Sequence, residues 1–266
     1  MLPVIDHRRI LAYLGLSAAP PSLAYLNALL DGWARQIPWE SASRIARHRA
    51  PGTPHDYARL PDRYFEQALT QGTGGTCFES NLALRALLMP LRFQASLHFC
   101  DMEGDFVNPH CALIVRLDGQ PYLADVGYPI PAALPLKPDQ PTEVETAVYR
   151  FAASPEAGAR WRVQRISGGY ESLAFIVKAE AIDEAVFHAR LLRDHEPDGL
   201  FLKQVIVQKM VDGAMLRYSD DKGLIRRTVG AETPVPLTPD EQADLPAALS
   251  ARFGMDAAVL RAALGL

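Results

Sequence analysis

Two glycines stand just ahead of a cysteine in "TGGTCFESN", residues 73–81, and the run "CFESNLALRALLMP" that begins there has the apolar spacing of a helix. A cysteine in the first helical turn lies among unpaired backbone N–H groups, at the positive end of the helix dipole. That setting favours the thiolate, the form of cysteine that attacks carbonyl carbon. The same N–H groups suit a developing oxyanion. Gly74 and Gly75 would allow a sharp turn and a close approach of substrate to the backbone. Cys77 is therefore a candidate nucleophile, although the stretch alone is equally satisfied by a small buried thiol.

A second set of residues lies in "HCALIVRLDGQPYLADVGY", residues 110–128. Asp118-Gly119 reads as a two-residue hairpin turn, which pairs Leu117 with Gln120. In that register His110 faces Gly127, and Asp125 lies diagonally across on the same face, with Cβ atoms about 7–8 Å apart or less. Gly127 leaves room beside the imidazole. A three-residue loop would put His110 and Asp125 on opposite faces. An imidazole held by a carboxylate takes the proton from a nucleophile and is stabilised once charged. Whether Cys77 meets His110 depends on how helix packs on sheet, which spacing does not supply.

The elements that must position these residues change character along the chain. Residues 1–91 read mainly as helices: Ser22 caps a run with Leu23, Leu26, Leu29, Leu30 and Trp33 on one stripe, and Pro61 opens a helix that stops near Gly72. Residues 46–58 read as a polar loop. From "FQASLHFC" onward the pattern is strand-like through about residue 229, and "LPAALSARFGMDAAVLRAALGL" closes the chain with amphipathic helix. The expectation is an α+β protein: residues 1–91 a helical part carrying the nucleophile, 92–195 a β part carrying His110 and Asp125, and 196–266 an α/β part.

Composition narrows the function classes. The chain has 266 residues, 48% hydrophobic, with 27 basic and 31 acidic side chains and a net charge of −4. No basic face points to nucleic acid, and no apolar run reaches the roughly 18 residues of a membrane span. Cys77, Cys100 and Cys111 form an odd set without paired spacing, which fits reduced thiols in the cytoplasm. Cys100 and Cys111 read as inert strand thiols. A metal site from Cys100, Cys111, His98 and His110 lacks ligand spacing, so no metal is expected. His7, His48, His55, His188 and His195 read as solvated, and "SGGY", residues 167–170, as a turn between strands.

These residues resemble the arylamine N-acetyltransferase family. Its motif Arg-Gly-Gly-x-Cys-x-Glu-x-Asn is met at Gly74, Gly75, Cys77, Glu79 and Asn81; "HCALIV", "DVGY", "IPWES" and "ARFGMD" follow further family patterns. The resemblance implies a helical bundle, a central β-barrel and a C-terminal α/β lid, with a catalytic core related in plan to transglutaminases and papain-like cysteine proteases. It also implies a Cys77–His110–Asp125 triad and ping-pong transfer of an acetyl or other acyl group from acetyl-CoA to an aromatic amine or hydrazine, as in xenobiotic metabolism. Gly127 would border the CoA thioester, while Trp39, Tyr128 and Phe201 would line the acceptor pocket, Phe201 from the start of a late strand. A monomer or homodimer is expected.

The sequence departs from the family at three places. Thr73 replaces the motif arginine, which in the family pairs with the counterpart of Glu40; Glu40 then needs Arg44 or Arg47 as a substitute partner, since an unpaired buried carboxylate is costly. Ser41 replaces an asparagine, and Pro129 the second glycine of a Gly-Phe-Gly turn. Two alternatives therefore stand beside acetyl transfer: an amide synthase using a carrier-bound or larger acyl donor, and a catalytically silent small-molecule binding protein.

Overall fold

Ser22 accepts a hydrogen bond from the Tyr25 N–H at 3.1 Å and so starts the first long helix, as its position in the sequence predicts. The computed structural model describes residues 5–103, 108–167 and 169–266. The N-terminal part comprises α1 (His7–Tyr13), α2 (Leu23–Gln36), a short strand β1 (Trp39–Glu40), α3 (Ala42–His48), α4 (Pro54–Tyr57), α5 (Pro61–Gln71) and α6 (Cys77–Leu88). The expected polar loop over 46–58 is confined to residues 49–53, between the end of α3 and the whole of α4. Asp56 accepts from both the N–H and the hydroxyl of Thr53 at 2.8 and 2.7 Å, with Pro54 at the first helical position. Every residue of α6 except Arg85 is buried. That helix lies between α5 and the sheet that follows, so the nucleophile candidate is carried by the most enclosed helix of the fold.

The next strands are β2 (Gln94–Asp101), β3 (His110–Leu117), β4 (Gln120–Ala124), β5 (Leu134–Pro135), β6 (Thr142–Glu145), β7 (Arg150–Glu156), β8 (Arg160–Ser167) and β9 (Tyr170–Ala181). They pair in the order β5-β4-β3-β2-β9-β8-β7-β6. β5 returns beside β6 and β7, which nearly closes the sheet into a barrel around Phe151, Phe175, Leu134 and their neighbours. Asp118 and Gly119 take φ of 49° and 80°, and Leu117 pairs with Gln120. The two-residue turn thus sets the register that the sequence predicts. Ser167 pairs with Tyr170, as a turn at 167–170 requires, with Gly168 outside the described residues.

The β reading does not continue unbroken to residue 229. Asp183 caps α7 (Glu184–Asp194), whose Phe187 and Leu191 pack into the main core. A second sheet follows: β10 (Ile206–Val211), β11 (Ala214–Ser219), β12 (Gly223–Thr228) and β13 (Ala231–Pro234), with β1 as its other edge. After α8 (Pro239–Ala243), the closing helical stretch is two short helices, α9 (Leu245–Phe253) and α10 (Ala257–Leu264), broken where Gly254 turns left-handed at φ 74° and Asp256 caps afresh. Helices, barrel and C-terminal α/β region together form the α+β architecture expected from the sequence.

Candidate active site

Cys77 is the first residue of α6, and its preceding cap, Thr76, makes no side-chain cap bond. The Thr76 hydroxyl instead accepts from Arg44 Nη1 at 3.1 Å, so the first-turn N–H groups keep no side-chain cap. Gly74 and Gly75 serve a different purpose from the sharp turn expected of them, since neither has a positive φ. A Cβ on Gly74 would lie 1.6 Å from the Pro38 carbonyl oxygen, and one on Gly75 would lie 2.9 Å from Arg59 Nη2. The pair lets this segment run against β1, where Trp39 bridges Gly75 and the Glu40 N–H donates to the Gly75 carbonyl at 3.3 Å.

His110, the first residue of β3, points its Nε2 at Asp125 Oδ2, 2.6 Å away, with the two side chains 3% and 0% exposed. Asp125 directly follows β4, and its Oδ1 accepts from the N–H groups of Gly127 and Tyr128 at 2.8 and 2.9 Å and from Asn81 Nδ2 at 2.9 Å. The carboxylate is thereby held by four donors, which orient it and offset its burial. Asn81, one turn along α6 from Cys77, also donates to the Cys111 carbonyl at 2.7 Å and accepts from the Val126 N–H at 3.2 Å. It ties the helix to both strands of the hairpin and supplies the helix-to-sheet packing that spacing could not.

With Nε2 engaged by Asp125, the other ring nitrogen of His110 is left free of that bond, and Cys77 stands close enough to act on the imidazole. Burial alone would pull the imidazole down, but the Asp125 carboxylate and Cys77 outweigh it, and His110 is pushed up to about 10. The Cys77 sulfur lies 3.9 Å from the Pro109 carbonyl oxygen and opens onto a cleft of about 250 Å³. Burial pushes the Cys100 and Cys111 thiols well up, in keeping with inert strand positions.

The remaining predicted residues converge on the same cleft. Gly127, Trp39, Tyr128 and Phe201 all line it, and Trp39 meets Phe201 edge to face at 5.1 Å. Phe201 is not at the start of a strand; it sits in the turn before β10, with φ of 62°. Gly127 presses on the Cys77 segment, and a Cβ there would lie 2.5 Å from Cys77 Cα. Pro129 lines the cleft as well.

Beneath the site lies a buried charge network that replaces the absent motif arginine by a route the sequence does not suggest. Glu40 is fully buried, but neither Arg44 nor Arg47 takes it as partner. It accepts instead from the Ser43 N–H (2.7 Å), the Ser43 hydroxyl (2.5 Å) and the Gly74 N–H (3.1 Å). Arg44 pairs with Asp194 at 2.6 Å and Arg47 with Glu79 at 2.9 Å. Arg59, fully buried, reaches Thr73 Oγ1 (3.4 Å), the Gly74 carbonyl (2.5 Å) and Glu79 Oε2 (2.5 Å). Burial would raise the Glu79 carboxyl, yet Arg47 and Arg59 hold it well below the usual carboxylate range. His195 is not solvated: it is buried between His48 (3.3 Å) and Glu79 (3.4 Å). Ser41 accepts from the Ile206 N–H at 2.9 Å and donates to the Gln204 carbonyl at 2.6 Å, joining the helical part to β10.

A family model described as N-acetyltransferase matches residues 22–260. The chain belongs to the arylamine N-acetyltransferase family. Solved members of the family share its fold. The chain is similar to a Mycobacterium smegmatis arylamine N-acetyltransferase in which a glutamine replaces a cysteine, with 19% identity and a TM-score of 0.81 over 97% of this chain and 98% of that one. A Mycobacterium marinum arylamine N-acetyltransferase in complex with CoA gives 17% identity and a TM-score of 0.82 over 97% and 98%. A Bacillus cereus arylamine N-acetyltransferase described as having a Cys-His-Glu catalytic triad gives 17% and 0.75 over 95% and 100%. At these identities the likeness is one of fold. No curated protein matches the chain. Among the described residues no group of three or more His, Cys, Asp and Glu side chains is arranged to hold a metal ion, and no helix is long and apolar enough to cross a membrane.

Within this family member, sequence reasoning misses three arginines that line the cleft: Arg165, Arg217 and Arg227. Alternation within "WRVQRIS" puts Arg165 on the face opposite Arg162, and within "AMLRYS" it puts Arg217 on one face with Met215, so neither strand marks its arginine as functional. Only the pairing of two sheets shows that those faces meet.

Proposed function

We propose that this protein is an acyltransferase that moves an acetyl or similar acyl group from a CoA thioester to an aromatic amine or hydrazine, by way of a thioester on Cys77. The single observation that carries this reading is the buried His110–Asp125 pair, bonded at 2.6 Å, close to Cys77, which itself lines the cleft. Cys77 Sγ, as thiolate beside the imidazolium, attacks the donor carbonyl. A bond from carbon to Sγ forms, the carbon–sulfur bond to CoA breaks, and the departing thiolate takes the proton from His110. The uncapped N–H groups of the first α6 turn stabilise the transient oxyanion. The amine then attacks the Cys77 thioester, His110 accepts the amine proton, and Sγ leaves as thiolate. Asp125 keeps Nε2–H directed toward itself, so the other ring nitrogen always faces the sulfur.

Gly127 serves the donor side of the cleft, while Trp39, Tyr128 and Phe201 wall the acceptor side. Pro129 on the cleft wall favours a second reading, a larger or carrier-bound acyl donor, because a rigid ring stands where a glycine would leave the backbone free. Intact-mass measurement separates the two. After mixing with acetyl-CoA, one acyl adduct is expected, absent in Cys77→Ala and discharged by an aniline or hydrazine. An adduct formed only from a carrier-bound acyl group selects the second reading. No adduct from any thioester defeats both.

A further inference from the structure

Asn108, two residues before His110, takes φ of 51°, in the left-handed region. Asparagine enters that region more readily than most residues with a side chain, but it stays there only where the surroundings hold it. Two cations from different elements do so. Lys178 of β9 donates to the Asn108 side-chain oxygen at 2.7 Å, and Arg190 of α7 donates through Nε to the Asn108 carbonyl at 3.2 Å. Pro109 comes next, with its φ fixed by its ring, and its carbonyl oxygen lies 3.9 Å from Cys77 Sγ. Any drift at Asn108 would carry the Pro109 carbonyl and His110 with it.

The same arginine reaches the start of α6. Its Cζ lies 4.8 Å from the ring centroid of Phe78, the residue that follows Cys77. Phe78 is fully buried and also meets Phe187 of α7 at 5.7 Å. A guanidinium over an aromatic face is held by the ring as well as by its hydrogen bonds. One side chain thus rests on the neighbour of the thiol while it grips the backbone that leads to the imidazole.

Asp194 extends the connection. Its Oδ1 faces Arg190 Nη1 at 3.7 Å, one turn along the helix, and its Oδ2 accepts from Arg44 Nη1 at 2.6 Å. That Arg44 nitrogen also donates to the hydroxyl of Thr76, directly before Cys77, at 3.1 Å. Asn108, Arg190, Asp194, Arg44 and Thr76 therefore form one run of polar contacts between the two segments that carry sulfur and ring. Asn81 joins α6 to the hairpin directly, and this run joins them again through a third element, α7. A link through a separate helix resists displacements that a single direct contact would allow.

We propose that Arg190 is a positioning residue: by holding the Asn108 carbonyl while packed on Phe78, it keeps His110 in place beside Cys77. The reaction it serves is the acyl transfer proposed above, and the inference rests on that reading for its chemistry.

The test is alkylation of Cys77 by iodoacetamide, an uncharged reagent that needs no acyl chemistry, at neutral pH in about 1 M salt, which screens the charge of the arginine itself. Arg190→Met keeps an apolar stem over Phe78 and removes the donor, whereas Arg190→Lys keeps a donor. Arg190→Met should slow labelling of Cys77 about tenfold, below the hundredfold or so that a displacement of about 1 Å costs. Arg190→Lys should regain most of that rate. Arg193→Met, which breaks only an exposed pair with Asp198 on the same helix, should leave it unchanged. Lys178→Met, which frees Asn108 from the other side, should slow Cys77 as Arg190→Met does; a normal rate in either would overturn the proposal. So would equal slowing in Arg190→Met and Arg190→Lys. A role in stability alone would instead speed labelling of Cys100 and Cys111 without slowing Cys77, which would overturn it too. Acylation by p-nitrophenyl acetate then reads the reaction: in Arg190→Met, kcat should fall while KM stays near its normal value. If the unmodified protein takes no acyl group, the acyl-transfer reading fails separately, and the alkylation rates still decide the role of Arg190.

Discussion

Arg59 Nη2 stands 2.5 Å from Glu79 Oε2, and this fully buried pair lies against Thr73 and Gly74 in the segment that leads into Cys77. A charge two residues beyond Cys77 is thus balanced by an arginine brought in from before α5. Removing one partner of a buried pair leaves an uncompensated charge and costs about 3–5 kcal/mol. Arg59→Ala should lose stability on that scale in urea unfolding. Arg59→Lys should recover little, because an ammonium cannot span Glu79, the Gly74 carbonyl and Gln67 together. Gly75→Ala should be harmful too, since its Cβ would lie 2.9 Å from Arg59 Nη2 and 3.0 Å from Glu79 Oε2.

Stability should peak near neutral pH, for two reasons of opposite sign. His110 is raised to about 10, so between about pH 6.5 and pH 10 the folded state holds a proton that the unfolded state has lost. Its contribution is complete below the unfolded value and fades as pH rises through that window. His48 is lowered to about 4, by burial first and then by His195 and nearby arginines. In its window, from about pH 6.5 down to pH 4, the unfolded state binds the extra proton and stability falls with acidification. Urea unfolding from pH 4 to 10 should therefore give a dome. Asp125→Asn should flatten the alkaline limb and His48→Gln the acid limb; a profile rising steadily to pH 10 would contradict the His110 assignment.

Much of this is legible in the sequence because it is local. The start of α6 at Cys77, the Ser22 cap and the two-residue turn at Asp118-Gly119 follow from backbone chemistry within a few residues. That turn alone puts His110 and Asp125 on one face of the pleat. The relationships that escape are non-local. Arg59 meets Glu79 across 20 residues of chain, and His195 enters the same network from the end of α7. Nothing in their neighbours marks them, and only packing buries them. Helix α7 escapes because its 11 residues stand alone between long runs of strands. The purpose of Gly74 is hidden because the Pro38 carbonyl that excludes a side chain there lies on another element.

Thiol reactivity should rank the three cysteines sharply. Cys77 borders the cleft close to His110, whereas Cys100 and Cys111 are fully buried with thiols pushed well up. Iodoacetamide below about pH 8 should label Cys77 first, by peptide mapping, with the other two lagging until the protein unfolds. His110→Ala should slow labelling of Cys77 and leave the order otherwise intact. Equal labelling of all three in the folded protein would remove the case for an activated sulfur.

Gly127 offers the most direct separation of stability from chemistry. A Cβ at this position would lie 2.5 Å from Cys77 Cα and 2.6 Å from both Cys77 Cβ and Asn81 Nδ2. Relief requires the hairpin end to move away from the start of α6, because the obstructing atoms are Cys77 Cα and Cβ, fixed to the helix, and a tethered amide. The Gly127 N–H also donates to Asp125 Oδ1, as does Asn81, so any shift disturbs the carboxylate that orients His110. A displacement of about 1 Å among reacting groups costs on the order of a hundredfold in rate. Gly127→Ala should therefore slow acylation of Cys77 by about that factor, measured by rapid-quench intact mass, while the protein still unfolds cooperatively. A variant that acylates at the normal rate would show that the distance from Cys77 to His110 tolerates change, and the close approach of hairpin to helix would then serve packing alone.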